Sequence, residues 1–213
     1  GAGLFTYNLD GGTLTVPSVR KVGGTGSGTL NLNGGTLKPT ASTATFLQGL
    51  TAANVRTGGA IIHTAGYDIH IGQALVNNGA DEDGGLTKIG NGTLYLNGLN
   101  TYTNVTTVSA GLLGGSGTIA GPVTVNSGAG LTPGTSIGTL TINGNITLNA
   151  GSTNVFEVNG TAPANDSVVA GASVTYGGVL KIVPSSTFVN GQTFTLFSGA
   201  GATSPSNFTS IEG

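Results

Sequence analysis

GTLTINGNITLN, residues 138–149, alternates apolar and polar side chains twice in succession. Leu140 and Ile142 fall on one side, with Thr139 and Thr141 on the other. Across Asn143-Gly144 the pattern resumes, Ile146 and Leu148 against Thr147 and Asn149. A period of two is that of a strand with one face buried, and Asn-Gly is a pair that turns the chain. The same grammar extends outward. Leu94 and Leu96 alternate with Thr93, Tyr95 and Asn97, Phe156 and Val158 bracket Glu157, and Leu180 and Ile182 bracket Lys181. Asn-Gly recurs at Asn33, Asn97, Asn159 and Asn190, again beside short alternating runs.

Self-similarity follows the glycines. Gly-Thr-Leu occurs at 12–14, 28–30, 35–37, 92–94 and 138–140, with Gly117-Thr118-Ile119 as a near copy. Several steps are close in length: 23 residues from Gly12 to Gly35, 24 from Gly35 to Gly59, 25 from Gly92 to Gly117 and 21 from Gly117 to Gly138. A sandwich or up-and-down barrel would use the Asn-Gly pairs as hairpin turns. A parallel β-helix would use them as corners, stacking each coil about 4.8 Å above the last. The near-regular period favours the second: an all-β parallel solenoid of about nine coils, a rod on the order of 40–45 Å long. The expected organisation is a single solenoid over 1–213, with irregular insertions near 38–57, 74–83 and 161–175. Residues 46–55 are expected to form a short helix or a bulged loop, and the last insertion centres on Pro163 and Asp166.

Composition agrees. The 213 residues include 40 Gly, no Cys, Met or Trp, six basic and eight acidic side chains, and a formal net charge of −2. Thr, Val and Ile suit strands, and Gly, Asn and Asp suit turns. Only Arg20 and Lys21 are adjacent bases, so no stripe exists for nucleic acid. No apolar run approaches the roughly 20 residues that span a bilayer. Absence of Cys removes disulfides and thiolate metal sites and suits passage through an oxidising compartment. With neither an initial Met nor a signal peptide, the chain reads as a mature product or an excised segment.

GGLTKIGNGTLYLNG (84–98), followed by NTYTNVTTVSAG (100–111), resembles the autotransporter-associated β-strand repeat, also called the passenger-associated transport repeat. Lys88, Asn100 and Tyr102 fall in place, whereas Asn104 and Leu112 replace the usual Gly and Thr. Stretches 131–152, 165–171 and 176–183 resemble coils near the end of such passengers, and 46–50 and 58–69 resemble segments that precede the repeat. The resemblance implies a right-handed parallel β-helix at the bacterial cell surface or secreted, with no particular enzymatic activity.

Candidate chemistry is sparse. His63, Asp68 and His70 are the group best placed for a metal, since Asp68 and His70 share an outward face and His63 lies across the Ala65-Gly66 turn; the plain alternative is an exposed polar strand face. Asp81-Glu82-Asp83 offers hard oxygens to calcium, but adjacent strand residues diverge, and a solvated loop before Gly84-Gly85 is the competing reading. Gly23-Gly24-Thr25-Gly26-Ser27 begins like a calcium-binding nonapeptide, yet Gly28 stands where the ligand carboxylate belongs. No cofactor and no catalytic residue are implied. Outward Thr and Asn rows are expected to form side-chain ladders or a polar contact surface, with Tyr95, Tyr102 and Phe197 adding aromatic contacts for a glycan or another protein.

The expected function is a structural or adhesive extracellular segment, not an enzyme, acting as a stiff stalk or contact surface. Two alternatives stand beside it. One is a self-assembling filament subunit joined to like subunits or adjoining repeats through open coil ends. The other is a β-helical polysaccharide lyase or hydrolase, which needs carboxylates clustered on one face.

Overall fold

The computed structural model describes residues 3–77, 83–162, 164–199, 201–202 and 206–213. Asp81, Glu82 and Pro163, named above, lie outside them. Strands, turns and bends account for the regular structure of the described residues, with no helix among them.

The chain visits three faces in rotation. It runs from Leu4–Leu9 through Thr13–Val16 to Val19–Arg20, and the next three strands, Ser27–Leu32, Thr36–Pro39 and Thr43–Gln48, lie parallel against these in turn. One face is a single eight-stranded sheet from Thr13–Val16 to Val174–Thr175; we call it the long face. The second face is a six-stranded sheet ending at Ala129–Pro133, carried on by Thr153–Asn159, Val179–Pro184 and Ser210–Glu212. The third is a four-stranded sheet ending at Leu75–Val76, carried on by a five-stranded sheet that opens with Leu99–Asn100. Asn100 and Asn154 stand at the two joins. Among the described residues nine stacked turns result, a parallel β-solenoid.

Parallel pairing is what excludes the sandwich, whose hairpins would pair antiparallel. Among the described residues antiparallel pairing is confined to Val158–Asn165 with Asn159–Ala164, and to the bridge between Gly115 and Gly134. The period is less uniform than the glycine count suggests. Leu4 meets Ser27, 23 residues on, but Thr106 meets Val123, only 17 on, and Val179 meets Ser210, 31 on. The Gly-Thr-Leu triplet does not mark one corner: Thr13 and Thr36 pair on the long face, whereas Thr93 opens a strand of the second face and Thr139 one of the third. Any strand following a glycine turn can carry the triplet, so the step from Gly92 to Gly117 compares different faces.

The expected insertions shrink. Residues 46–55 are not helical: Thr43–Gln48 and Ala52–Val55 are strands inside the stack, and the irregularity is a register shift between Thr43 and Leu47. Tertiary pairing claims both runs because Phe46, Leu47, Ala53 and Val55 fit the core. Leu75–Val76 pairs with Ala52–Val55, so 74–83 also begins in register. In 161–175, Ser167–Ala170 and Val174–Thr175 are regular rungs, and the excursion is the short hairpin before them.

Alternation puts one side chain in two into a continuous core. On the long face Leu37, Ile62, Val108, Val125 and Leu148 occupy one inward column, all buried. Each such side chain contributes roughly 1.5–3 kcal/mol on leaving water, and every coil lends its neighbours the cover none has alone. Corners demand glycine where coils touch: Gly92 has φ +93°, and a side chain there would strike the carbonyl oxygen of Tyr67 in the coil beneath. The last coils fill with aromatic rings, Phe156, Tyr176, Phe197 and Phe208 standing 5.1 to 6.1 Å apart in their contacts. At the first coil Phe5 and Tyr7 point inward yet remain 74% and 50% exposed around a recess of about 930 Å³.

Candidate functional site

The side wall of the rod is ordered by the same registers. On the long face Thr87, Thr107, Thr124, Thr147 and Thr175 form one outward column, continued past Ile61 by Thr36 and Thr13. Beside it, Asn149 Nδ2 donates to Asn126 Oδ1 at 3.2 Å. On the third face Asn54 donates to Asn31 at 2.8 Å and Asn31 to Asn8 at 2.6 Å, an amide ladder across three coils. The expected Thr and Asn rows are therefore present as stacked columns.

Of the three aromatic residues expected on that surface, two are placed otherwise. Tyr102 is fully buried; its hydroxyl lies 2.6 Å from Thr106 Oγ1, and burial holds its pKa well above the ordinary value. It keeps the inward parity of Leu94, Leu96 and Asn100, with the exposed Leu99, Thr101 and Thr103 alternating against them. Phe197 is half-buried in the aromatic cluster of the last coils. Tyr95 alone stays on the wall, half-buried, stacked on His70 with ring centroids 4.3 Å apart.

His63, Asp68 and His70 do not converge. His63 Nδ1 accepts from the backbone N–H of Ala65 at 2.9 Å. Asp68 Oδ1 accepts from the N–H of Thr93, one coil on, at 2.8 Å. His70 lies against Tyr95, with Nδ1 3.3 Å from Asn97 Nδ2; burial lowers its pKa and the charge of Asp68 opposes that. Among the described residues no group of three His, Asp or Glu side chains is assembled for a metal.

Asp83 is no member of a solvated loop. It is 3% exposed, and its carboxylate accepts from the N–H groups of Gly85, Thr103 and Asn104 at 3.1, 2.7 and 2.9 Å, from Thr103 Oγ1 at 3.1 Å and from Asn77 Nδ2 at 3.0 Å. Burial raises its pKa, but these donors outweigh it, and the net shift is downward. Its oxygens pin one corner to the next. Asp81, its proposed partner in a calcium site, falls outside the described residues.

Two buried ionisable groups were not among the candidate site residues. Lys88 takes the inward column between Ile62 and Val108 and is fully buried. Its ammonium donates to Thr64 Oγ1 at 2.8 Å, to the carbonyl of Gly90 at 2.6 Å and to that of Ala110 at 2.9 Å, so all three protons are used. Burial depresses its pKa to about 8 against the attraction of Asp68. Its parity with Leu86 was the legible signal. Asp166, 1% exposed, accepts from the N–H groups of Gly138 at 3.0 Å and Glu157 at 2.8 Å; burial and the charge of Glu157 raise its pKa to about 6 despite those bonds.

Comparison of the chain with family models, curated proteins and solved structures returns no match. Function is left to be read from its own residues.

Proposed function

We propose that this chain is a structural or adhesive segment of a bacterial surface or secreted protein, a stiff β-solenoid stalk whose wall makes contact with a glycan or another protein. The observation that carries the reading is the stack of nine turns among the described residues, in which polar groups close on one another: no buried side-chain nitrogen or oxygen there lacks a partner. Polar chemistry inside serves the stack, and the regular Thr and Asn columns are what the molecule offers outward. Support for an exported origin comes from the absence of Cys and from the resemblance of residues 84–111 to the passenger-associated repeat.

Binding of the purified chain to arrayed surface glycans and matrix proteins tests this, with Thr107→Lys/Thr147→Lys as the probe of the long face. Loss of binding in a folded double variant supports contact through the wall. Retained binding would move contact elsewhere, and no binding to any glycan or protein would leave only the stalk.

Self-assembly through coil ends is the second reading. Inward positions Phe5, Tyr7 and Ile211 are uncovered on the end coils, and such edges accept either a further coil of a longer chain or a second copy. Electron microscopy of the purified chain decides it: only discrete short rods would sink the filament. The lyase or hydrolase reading has less behind it, because the two most buried carboxylates among the described residues, Asp83 and Asp166, spend their oxygens on backbone N–H groups. Product release from acidic or neutral glycans is its test.

A further inference from the structure

Six Asn-Gly pairs lie in the described residues, and the solenoid treats one of them differently. Asn-Gly is the pair most open to attack by its own backbone, because glycine leaves the following nitrogen unshielded. Attack requires a free carboxamide and a main chain able to swing it toward that nitrogen.

Five pairs are held in the stack. Asn33 donates to Asp10 and accepts from Gly58 N, while Gly34 N donates to the Gly59 carbonyl. Asn97 Oδ1 accepts from Ser116 N. Asn159 Oδ1 accepts from Thr161 N and Ser186 Oγ, and Gly160 N donates to the same hydroxyl. Asn91 and Asn143 have freer side chains but clamped backbones: the Asn91 carbonyl accepts from Gly66 N at 2.6 Å, Asn143 N donates to the Ile119 carbonyl at 2.9 Å, and Gly92 and Gly144 lie flush on the coil beneath.

The sixth, Asn190-Gly191, lies in an excursion of the 31-residue coil, where Gln192 N donates to the Val189 carbonyl at 3.2 Å and Gly191 has φ +91°. That is a type II turn. Both residues are exposed, nothing stands within 4 Å of a side chain built at Gly191, and neither the Asn190 carboxamide nor the Gly191 N–H has a hydrogen-bond partner among the described residues.

We propose that Asn190 is a site of spontaneous covalent modification in the folded protein, converted by cyclisation onto Gly191 and hydrolysis into aspartate and isoaspartate. The Gly191 nitrogen attacks Asn190 Cγ, the Cγ–Nδ2 bond breaks, and the amide leaves as ammonia, taking the proton lost by the attacking nitrogen. Water then adds to either carbonyl of the resulting succinimide and opens it to a carboxylate. No electrons change hands, and water is the co-reactant. The product carries one more negative charge beside the exposed Phe188 and Val189, in a turn tied to the neighbouring hairpin by Gln192 Nε2 on the Gly160 carbonyl at 2.6 Å. A wall otherwise poor in charge thus acquires an anionic tip with age.

The test holds the folded full chain at mildly alkaline pH beside a sample in denaturant, and locates conversion by tandem mass spectrometry of the peptides. In the folded sample Asn190 converts and the other five pairs do not; in denaturant all six convert. An isoaspartate-specific methyltransferase labels the aged wild type, and Asn190→Gln loses that label at this position. Conversion in the folded chain at any of the five clamped pairs as fast as at Asn190, or an unchanged Asn190, would overturn the proposal.

Discussion

Asn100 and Asn154 make the same connection at the two places where the backbone ladders are interrupted. Asn100 Oδ1 accepts from the N–H of Leu75 in the coil before at 3.1 Å, and its Nδ2 donates to the carbonyl of Thr118 in the coil after at 3.0 Å. Asn154 repeats this with Leu131 N at 3.2 Å and the Val179 carbonyl at 3.4 Å. Both are fully buried. A side-chain amide has the donor and the acceptor of a peptide group, so turned inward it stands in for one and joins three coils.

Substitution of Asn100 by Leu should therefore cost about 2–4 kcal/mol, since a buried N–H and carbonyl lose their partners together. Denaturant titration reads the total. Hydrogen exchange locates it: the Leu75 amide should lose protection more than amides of the first coils, and an even loss throughout would argue against a local bridge.

Lys88 should make stability rise with pH. Its folded pKa, about 8, lies below the ordinary 10.5, so between these values the unfolded chain binds the extra proton and raising the pH favours the fold. Stability from this group is present above 10.5 and lost as pH falls through about 8. Tyr102, held above its ordinary 10.0, acts in the opposite sense at higher pH, so the gain is best read between pH 8 and 10. Melting curves across that window should show a rise that Lys88→Met abolishes.

Asp83→Ala should destabilise by about 2 kcal/mol, because three backbone N–H groups lose their acceptor and that of Gly85 is left buried. With its folded pKa lowered, wild-type Asp83 adds stability above the ordinary 3.8 that is lost as pH falls through the folded value. Asp166 works the other way: raised to about 6, it adds stability present below 3.8 and lost as pH rises through about 6. An acid titration monitored by circular dichroism should show Asp83→Ala flattening the loss at low pH.

Ala65 is the one non-glycine residue with positive φ among those described, at +57°, in the turn where Tyr67 N donates to the Thr64 carbonyl at 2.9 Å. Alanine pays about 1 kcal/mol for that conformation and asparagine much less. Ala65→Asn should raise the melting temperature; a fall would mean that the methyl group packs usefully.

Residues 138–149 already contained the element, the corner and the direction of burial, because alternation and turn chemistry are local properties of a chain. The same local rule placed Thr139 and Thr147 outward and Leu140 and Phe156 inward, as found. It also turns Tyr102 inward, two positions on from the buried Asn100, a parity that the surface role expected of this ring overlooked. It gave Lys88 its inward parity but not its acceptors, since Thr64 and Ala110 come from the coils on either side. Coil length, the strands at 46–55, the bridging of Asn100 and Asn154 and the freedom of Asn190 are likewise settled by contacts between residues about 17 to 31 positions apart. Sequence by itself determined that the chain alternates and turns. Which coil lies on which, and so which polar group meets which, belongs to register, and register exists only once the coils have stacked.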